Sequence, residues 1–154
     1  MKPLWDTIII GGGPAGLASG TYLARAGYKT MLLEKDRLGG QAQKLSWVEN
    51  YPGFTRIKGP RLMERWIRQA QTWGLCTKRE EIMRISSGTS CFHLKSKSGR
   101  LFRSKSAIWC VGSEFKEAAI DGANRFLGKG IEHLPQPPYK RFERRDLAIL
   151  GGGE

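Results

Sequence analysis

The segment Asp6-Thr-Ile-Ile-Ile10 places β-branched side chains one after another with no polar alternation. A parallel strand covered on both faces reads this way. It stops at Gly11-Gly-Gly-Pro-Ala-Gly16. Beyond it Leu17, Ala18, Tyr22, Leu23 and Ala26 recur at helical spacing. Residues 15–26 therefore read as a helix, closed by Gly27 as its C-cap glycine. Thr30-Met-Leu-Leu-Glu34 returns to the strand pattern. Together they make one strand–helix–strand unit of about 30 residues.

Residues 39–59 form a long stretch punctuated by Gly and Pro, without periodicity of its own, which reads as a functional or mobile loop. Residues 60–73 then read as a helix with Pro60 in its first turn. Leu62, Met63, Trp66, Ile67, Ala70 and Trp73 share one face, and that stripe is expected in the core. From residue 81 the pattern shortens to strands at 82–85, 91–95 and 101–103, with turns at Ser87-Gly88 and Ser98-Gly99. Residues 92–103 alternate Lys and Arg with apolar positions, as in a hairpin with one wet face. Residues 107–111 are apolar again and are expected to rejoin the parallel sheet. Residues 113–145, with Leu134-Pro-Gln-Pro-Pro138, show no clear period, and 147–150 read as a new strand before Gly151-Gly-Gly-Glu154. The fold class expected is α/β, a parallel sheet with a small antiparallel hairpin or meander.

Composition narrows the class. Of 154 residues, 40% are hydrophobic and 26% charged, as in a folded globular chain rather than a disordered one. The N-terminal apolar run at 7–10 is too short for a membrane span or a signal-peptide core, so a cytoplasmic location is expected. Cys76, Cys91 and Cys110 are three and widely spaced, giving no disulfide framework, no zinc spacing and no Cys-x-x-Cys. They are expected as buried or half-buried thiols. His93 and His133 stand apart from acids and cysteines, so no metal site and no catalytic residue is assigned. The net charge of +12 is concentrated. Residues 56–105 hold 13 basic and 3 acidic groups, a surplus of +10 that suits either a solvated surface or a face for an acidic carrier.

Gly11-x-Gly13-x-x-Gly16 follows a strand and opens a helix, the context in which this spacing binds a dinucleotide. Gly11 allows the tight turn, Gly13 lets backbone approach a pyrophosphate, and Gly16 allows close helix–strand packing. The helix N-terminus adds unpaired N–H groups and a positive dipole end. Glu34 ends the next strand, 34 − 13 = 21 residues after Gly13. A carboxylate there accepts hydrogen bonds from both hydroxyls of an adenosine ribose and repels a 2′-phosphate. The expected ligand is FAD or NAD rather than NADP.

These motifs, with Gly39-Gly-Gln41, Glu49-Asn-Tyr-Pro-Gly53, residues 107–113, Phe126-Leu-Gly-Lys-Gly130 and residues 147–153, together resemble the FAD half of bacterial thioredoxin reductases. Those belong to the flavoproteins with two dinucleotide-binding domains. The resemblance implies a Rossmann-like FAD-binding fold, incomplete at the C-terminus. Residues 1–115 would be most of the FAD-binding domain. Residues 116–145 would be a crossover or linker, and 146–154 the first strand and glycine turn of an NAD(P)-binding domain. It implies that Gly11, Gly12, Gly13, Pro14, Ala15 and Gly16 hold the pyrophosphate of FAD and that Glu34, with Lys35 beside it, binds the adenosine end. Gly40, Gln41 and Asn50 would lie at the flavin region, and Gly112 would let backbone approach the cofactor. NAD(P)H would reduce the flavin once the second domain is supplied, and the resemblance implies a homodimer.

One departure changes the chemistry. Leu134 and Pro137 stand where the resemblance places a redox-active cysteine pair, so dithiol exchange is impossible there. Electrons would leave the flavin for another acceptor, such as an acidic redox carrier. Two alternatives stay open: a ferredoxin or flavodoxin–NADP reductase-like flavoprotein, and a non-catalytic flavin-binding fragment. Lys95, Lys97, Arg100, Arg103 and Lys105, with Phe92 and Phe102, could line a nucleic-acid-binding strand, but no nucleic-acid motif accompanies them.

Overall fold

The computed structural model describes residues 3–114, 120–132 and 139–151. The chain divides into two compact units, residues 1–112 and 113–154. The first holds a six-stranded sheet and two helices. In chain order these are β1 (Leu4–Ile10), α1 (Pro14–Arg25), β2 (Thr30–Glu34), α2 (Gly59–Thr72), β3 (Cys76–Arg79), β4 (Ile82–Ser87), β5 (Phe92–Ser96) and β6 (Leu101–Trp109). The strand order is β3-β2-β1-β6-β5-β4. Pairing is parallel across β3, β2, β1 and β6, and antiparallel from β6 through β5 to β4. The sheet is thus a parallel half joined to an antiparallel meander, as the pattern predicts.

The isoleucine run is explained by burial on both faces. Ile9 packs with Leu17, Leu32, Met63 and Ala70 on the helix side. Ile8 and Ile10 pack with Met31, Leu33, Leu94 and Phe102 on the other. Adjacent strand residues point to opposite faces, so only a strand covered twice can be apolar at every step.

Several expectations are corrected. β3 was not legible, because Cys-Thr-Lys-Arg has no alternation; its strand form comes from parallel pairing with Met31–Glu34 of β2. The segments expected at 101–103 and 107–111 are one nine-residue strand, β6, which serves the meander and the parallel half together. The loop at 39–59 contains a 3₁₀ turn, Gly40–Lys44, and a bridge between Val48 and Ile57. In α1 the buried face is Gly16, Leu17, Gly20 and Ala24, while Tyr22 is 72% exposed. Small residues are needed there because a methyl on Gly20 would sit 2.6 Å from Leu75 Cδ2. In α2 Leu62, Met63 and Ala70 are buried, but Trp73 is 47% exposed.

Within the second unit, the described residues form 3₁₀ turns at Ala123–Arg125 and Tyr139–Phe142 and a bridge between Leu127 and Ile131. Residues 147–150 are not a strand, contrary to expectation. No described strand pairs with them, and an apolar strand needs neighbours to cover it; Leu147, Ile149 and Leu150 are exposed. His133, Leu134 and Pro137 lie outside the described residues. No helix among the described residues is long and apolar enough to cross a membrane.

Candidate dinucleotide site

The glycine loop sits at the carboxyl ends of three parallel strands. The Gly11 N–H donates to Leu33 O of β2 at 2.8 Å, and the Cys110 N–H donates to Ile10 O at 2.7 Å. Gly11 has φ +103°, and a methyl there would run into the carbonyl oxygen of Cys110. A methyl on Gly16 would likewise run into Gly11 O. These two glycines are demanded by the protein's own packing.

Gly13 is different. Its backbone is ordinary, at φ −73° and ψ −173°. A methyl on it would have its nearest neighbour 3.9 Å away, at Gly40 Cα. Nothing in the fold requires glycine at this position, and the space beside it is open. A pyrophosphate cradle would use such an open glycine. α1 begins here: Leu17 N–H donates to Gly13 O at 2.9 Å, Pro14 is at its start, and no side chain caps it. Its first turn holds no acidic residue, so the positive end of the helix is offered to an anion. Pro14 and Ala15 are exposed at this end.

A second glycine turn closes on the first. The Gly39 N–H donates to Gly12 O at 2.7 Å, and a methyl on Gly40, at φ +53°, would lie 3.0 Å from Gly13 Cα. Gln41 follows Gly40 in the 3₁₀ turn, exposed.

Glu34 reaches back under the loop. The Gly12 N–H donates to its Oε2 at 2.6 Å, and the Asp36 N–H donates to its Oε1 at 2.9 Å. Each carboxylate oxygen keeps a second lone pair, enough for two ribose hydroxyls. Beside it lies a recess of about 220 Å³ lined by Gly11, Glu34, Lys35, Ile82, Trp109 and Val111. Glu80, at the same recess, is buried. Ser98 Oγ donates to its Oε2 at 2.8 Å and Arg100 pairs with its Oε1. The Ser98 hydroxyl holds the Glu80 carboxyl below its ordinary value; Ser96 and Arg100 help, against the upward push of desolvation. The Glu80 N–H donates to Glu34 O at 2.8 Å, tying the two acidic residues together through the backbone.

The structure thus brings together Gly11, Gly12, Gly13, Gly16, Gly40, Glu34 and Lys35. Asn50 is exposed, and no hydrogen bond joins it to the cradle. Gly112 has φ +71° with nothing within 4 Å of a methyl placed on it. Sequence reasoning quoted Gly39 and Trp109 within its motifs without giving them a role, and missed Glu80. Cys91 is buried, with Cys76 and Cys110 half-buried, as expected. Cys91 Sγ lies 3.7 Å from His93 Nε2. Among the described residues no three His, Cys, Asp or Glu side chains group as metal ligands.

A glycine cradle at the carboxyl ends of parallel strands, with a carboxylate closing β2, defines a dinucleotide-binding α/β protein. The sequence matches the family described as "Pyridine nucleotide-disulphide oxidoreductase" over residues 5–154, and the chain belongs to that family. It is 36% identical to a thioredoxin reductase of Helicobacter pylori over 151 residues, covering 97% of this chain and 49% of that one. It is 33% identical to a thioredoxin reductase of Treponema pallidum over 155 residues, covering 100% and 50%. The crystal structure of Lactococcus lactis thioredoxin reductase superposes with a TM-score of 0.76 at 30% identity, over 82% of this chain and 41% of that one. The chain therefore spans about half the length of the curated relatives it matches. Thioredoxin reductases bind FAD, and the cradle here fits that cofactor at Gly13 and Glu34.

Proposed function

We propose that this chain supplies the FAD-binding half of a thioredoxin reductase-like oxidoreductase that passes electrons from NAD(P)H to an acceptor. The observation that carries this is Gly13, a glycine that the fold does not need and a pyrophosphate does. FAD, when bound, supplies the hydride and electron chemistry. The chain's own residues do the holding. The α1 N-terminus would hold the phosphates, Glu34 the ribose hydroxyls, and Gly40, Gln41 and Asn50 the flavin end. Residues 1–115 act as the FAD domain, with 116–145 as the crossover and 146–154 as the start of the nicotinamide domain. The assembly is a cytoplasmic homodimer.

Leu134 and Pro137 favour a variant of this reading. Without a dithiol at that place, a bound flavin would have to pass electrons straight to the acceptor, as in a ferredoxin or flavodoxin–NADP reductase-like protein. Titration with FAD, followed by flavin fluorescence, tests the core claim: the 154-residue chain quenches FAD saturably, and Gly13→Ala weakens that binding. Absence of saturable binding rejects the proposal. The purified 154-residue chain is expected to oxidise no NAD(P)H; if it also binds FAD weakly, the non-catalytic fragment reading gains.

A further inference from the structure

Four of the five tryptophans have a cation or a ring as partner. Lys29 lies over Trp5 at 5.2 Å from the ring centre, Arg56 over Trp47 at 4.0 Å, and Arg25 over Trp73 at 5.7 Å. Trp66 lies 5.5 Å from Tyr51. Trp109 makes no such contact among the described residues, and it is 63% exposed. Two positions on, Val111 is 51% exposed. A lone exposed indole is ordinary on a protein surface. This one closes β6 at the carboxyl ends of the parallel strands, and with Val111 it lines the recess beside Glu34.

The recess measures about 220 Å³. Pockets that take a whole small molecule run to roughly 300–1,000 Å³, so this one suits a single ring system. Ile10, Leu33 and Ile82 add apolar lining to that of Trp109 and Val111. The carboxylates at the recess are already matched. Glu80 is held by Ser98 and Arg100, Glu81 pairs with Lys97 at 2.9 Å, and Glu34 accepts the N–H groups of Gly12 and Asp36. An uncharged, flat ring fits such a place. Glu34 decides which ring, because a nucleobase is joined to the ribose that Glu34 would hold. Gly40, Gln41 and Asn50, assigned to the flavin end, do not line the recess. We propose that Trp109 is the base-reading residue of this chain and stacks its indole on the adenine of the dinucleotide. The inference rests on the proposed function and adds the side chain that discriminates the base.

Stacking would cover apolar indole surface that now meets water, and would give Trp109 the ring contact that Trp66 already has within the chain. In the proposed site the phosphates and the ribose are held by backbone N–H groups and by Glu34, none of which senses the base. Selection among bases therefore falls to the recess. A purine offers the indole more ring area than a pyrimidine, so Trp109 favours an adenine nucleotide over a uracil one.

The test is displacement of FAD from the 154-residue chain by ADP, UDP and inorganic pyrophosphate, followed by flavin fluorescence. ADP is expected to bind more tightly than UDP. Trp109→Ala weakens ADP and FAD alike by about tenfold and brings ADP within about twofold of UDP. Trp109→Phe keeps ADP affinity within about threefold of the unmutated chain, and pyrophosphate binds all three proteins equally. Tryptophan emission gives a direct signature, read with ADP because flavin absorbs that emission. ADP changes the emission of the unmutated chain and of Trp73→Phe, but not that of Trp109→Phe, which still binds it. Circular dichroism and melting check that each variant folds; should Trp109→Ala unfold, Trp109→Leu replaces it. Unchanged ADP affinity in the variant overturns the proposal. So does a loss for FAD without one for ADP, which would put the indole at the flavin, or an equal loss for ADP, UDP and pyrophosphate, which would make its role structural. FAD titration of the unmutated chain separates the two claims. FAD bound with no effect at Trp109 rejects the base-reading role alone, whereas no FAD binding by the unmutated chain rejects the functional reading and this inference with it.

Discussion

Glu34 Oε2 accepts the Gly12 N–H at 2.6 Å, so the residue proposed to read the ribose also fastens the glycine loop. In the proposed site one carboxylate would couple the ribose end to the phosphate end. Glu34→Gln keeps one acceptor oxygen but loses the charge and the second. FAD affinity is expected to fall about tenfold, the equivalent of about 1.4 kcal/mol for a charge-assisted hydrogen bond. Flavin fluorescence titration measures it.

The glycines of the loop should separate into two kinds. Gly13→Ala has room, with 3.9 Å to its nearest neighbour, so the free chain keeps its melting temperature within a few degrees while FAD binding weakens. Gly16→Ala forces a methyl against Gly11 O and costs about 1–3 kcal/mol of stability with or without cofactor. Urea unfolding in the presence and absence of FAD distinguishes the two behaviours.

Glu80 predicts an acid limb to stability. Its carboxyl is held below the ordinary value of 4.5 by Ser98 first, with Ser96 and Arg100. A carboxyl lowered in the folded state stabilises above its unfolded value, and that contribution is lost as pH falls through the folded value. Stability should therefore decline as pH drops below 4.5. In Glu80→Gln the part of that decline due to this group disappears, and stability at neutral pH is lower. Thermal melts across the acid range test both statements.

Ser104 is fully buried, and its Oγ has no hydrogen-bond partner among the described residues. Ser104→Ala removes an unsatisfied polar atom with little change of shape. It is expected to be neutral or to stabilise by up to about 1 kcal/mol, raising the melting temperature by about 2–4 °C. A clear fall in melting temperature would show that the hydroxyl is satisfied in solution.

What was legible in the sequence was whatever is local. The Gly11–Gly16 spacing and Glu34 could be read because strand, loop, helix and strand are consecutive and the chemistry depends on short offsets. The apolar run at Ile8–Ile10 announced a doubly covered strand because both faces need filling. β3 was invisible because its only reason to be extended is β2, which lies more than 40 residues earlier in the chain. Trp73 was read as core because a helical stripe does not say where its last ring ends; Arg25, on another helix, covers that ring from outside. Glu80 gave no signal either, since its partners Ser98 and Arg100 belong to a turn two strands later.

β6 carries one last consequence. It pairs with β5 at Leu101–Ser104 and with β1 from Leu4 to Ile10, and it delivers Cys110 O to the spot that only a glycine at 11 tolerates. Both ends of this nine-residue strand are thus pinned, one to the meander turn and one to the cofactor loop. An inserted or deleted codon between them would turn every following side chain to the wrong face and shift that carbonyl by one step. In this stretch a gene can change its letters, but not how many there are.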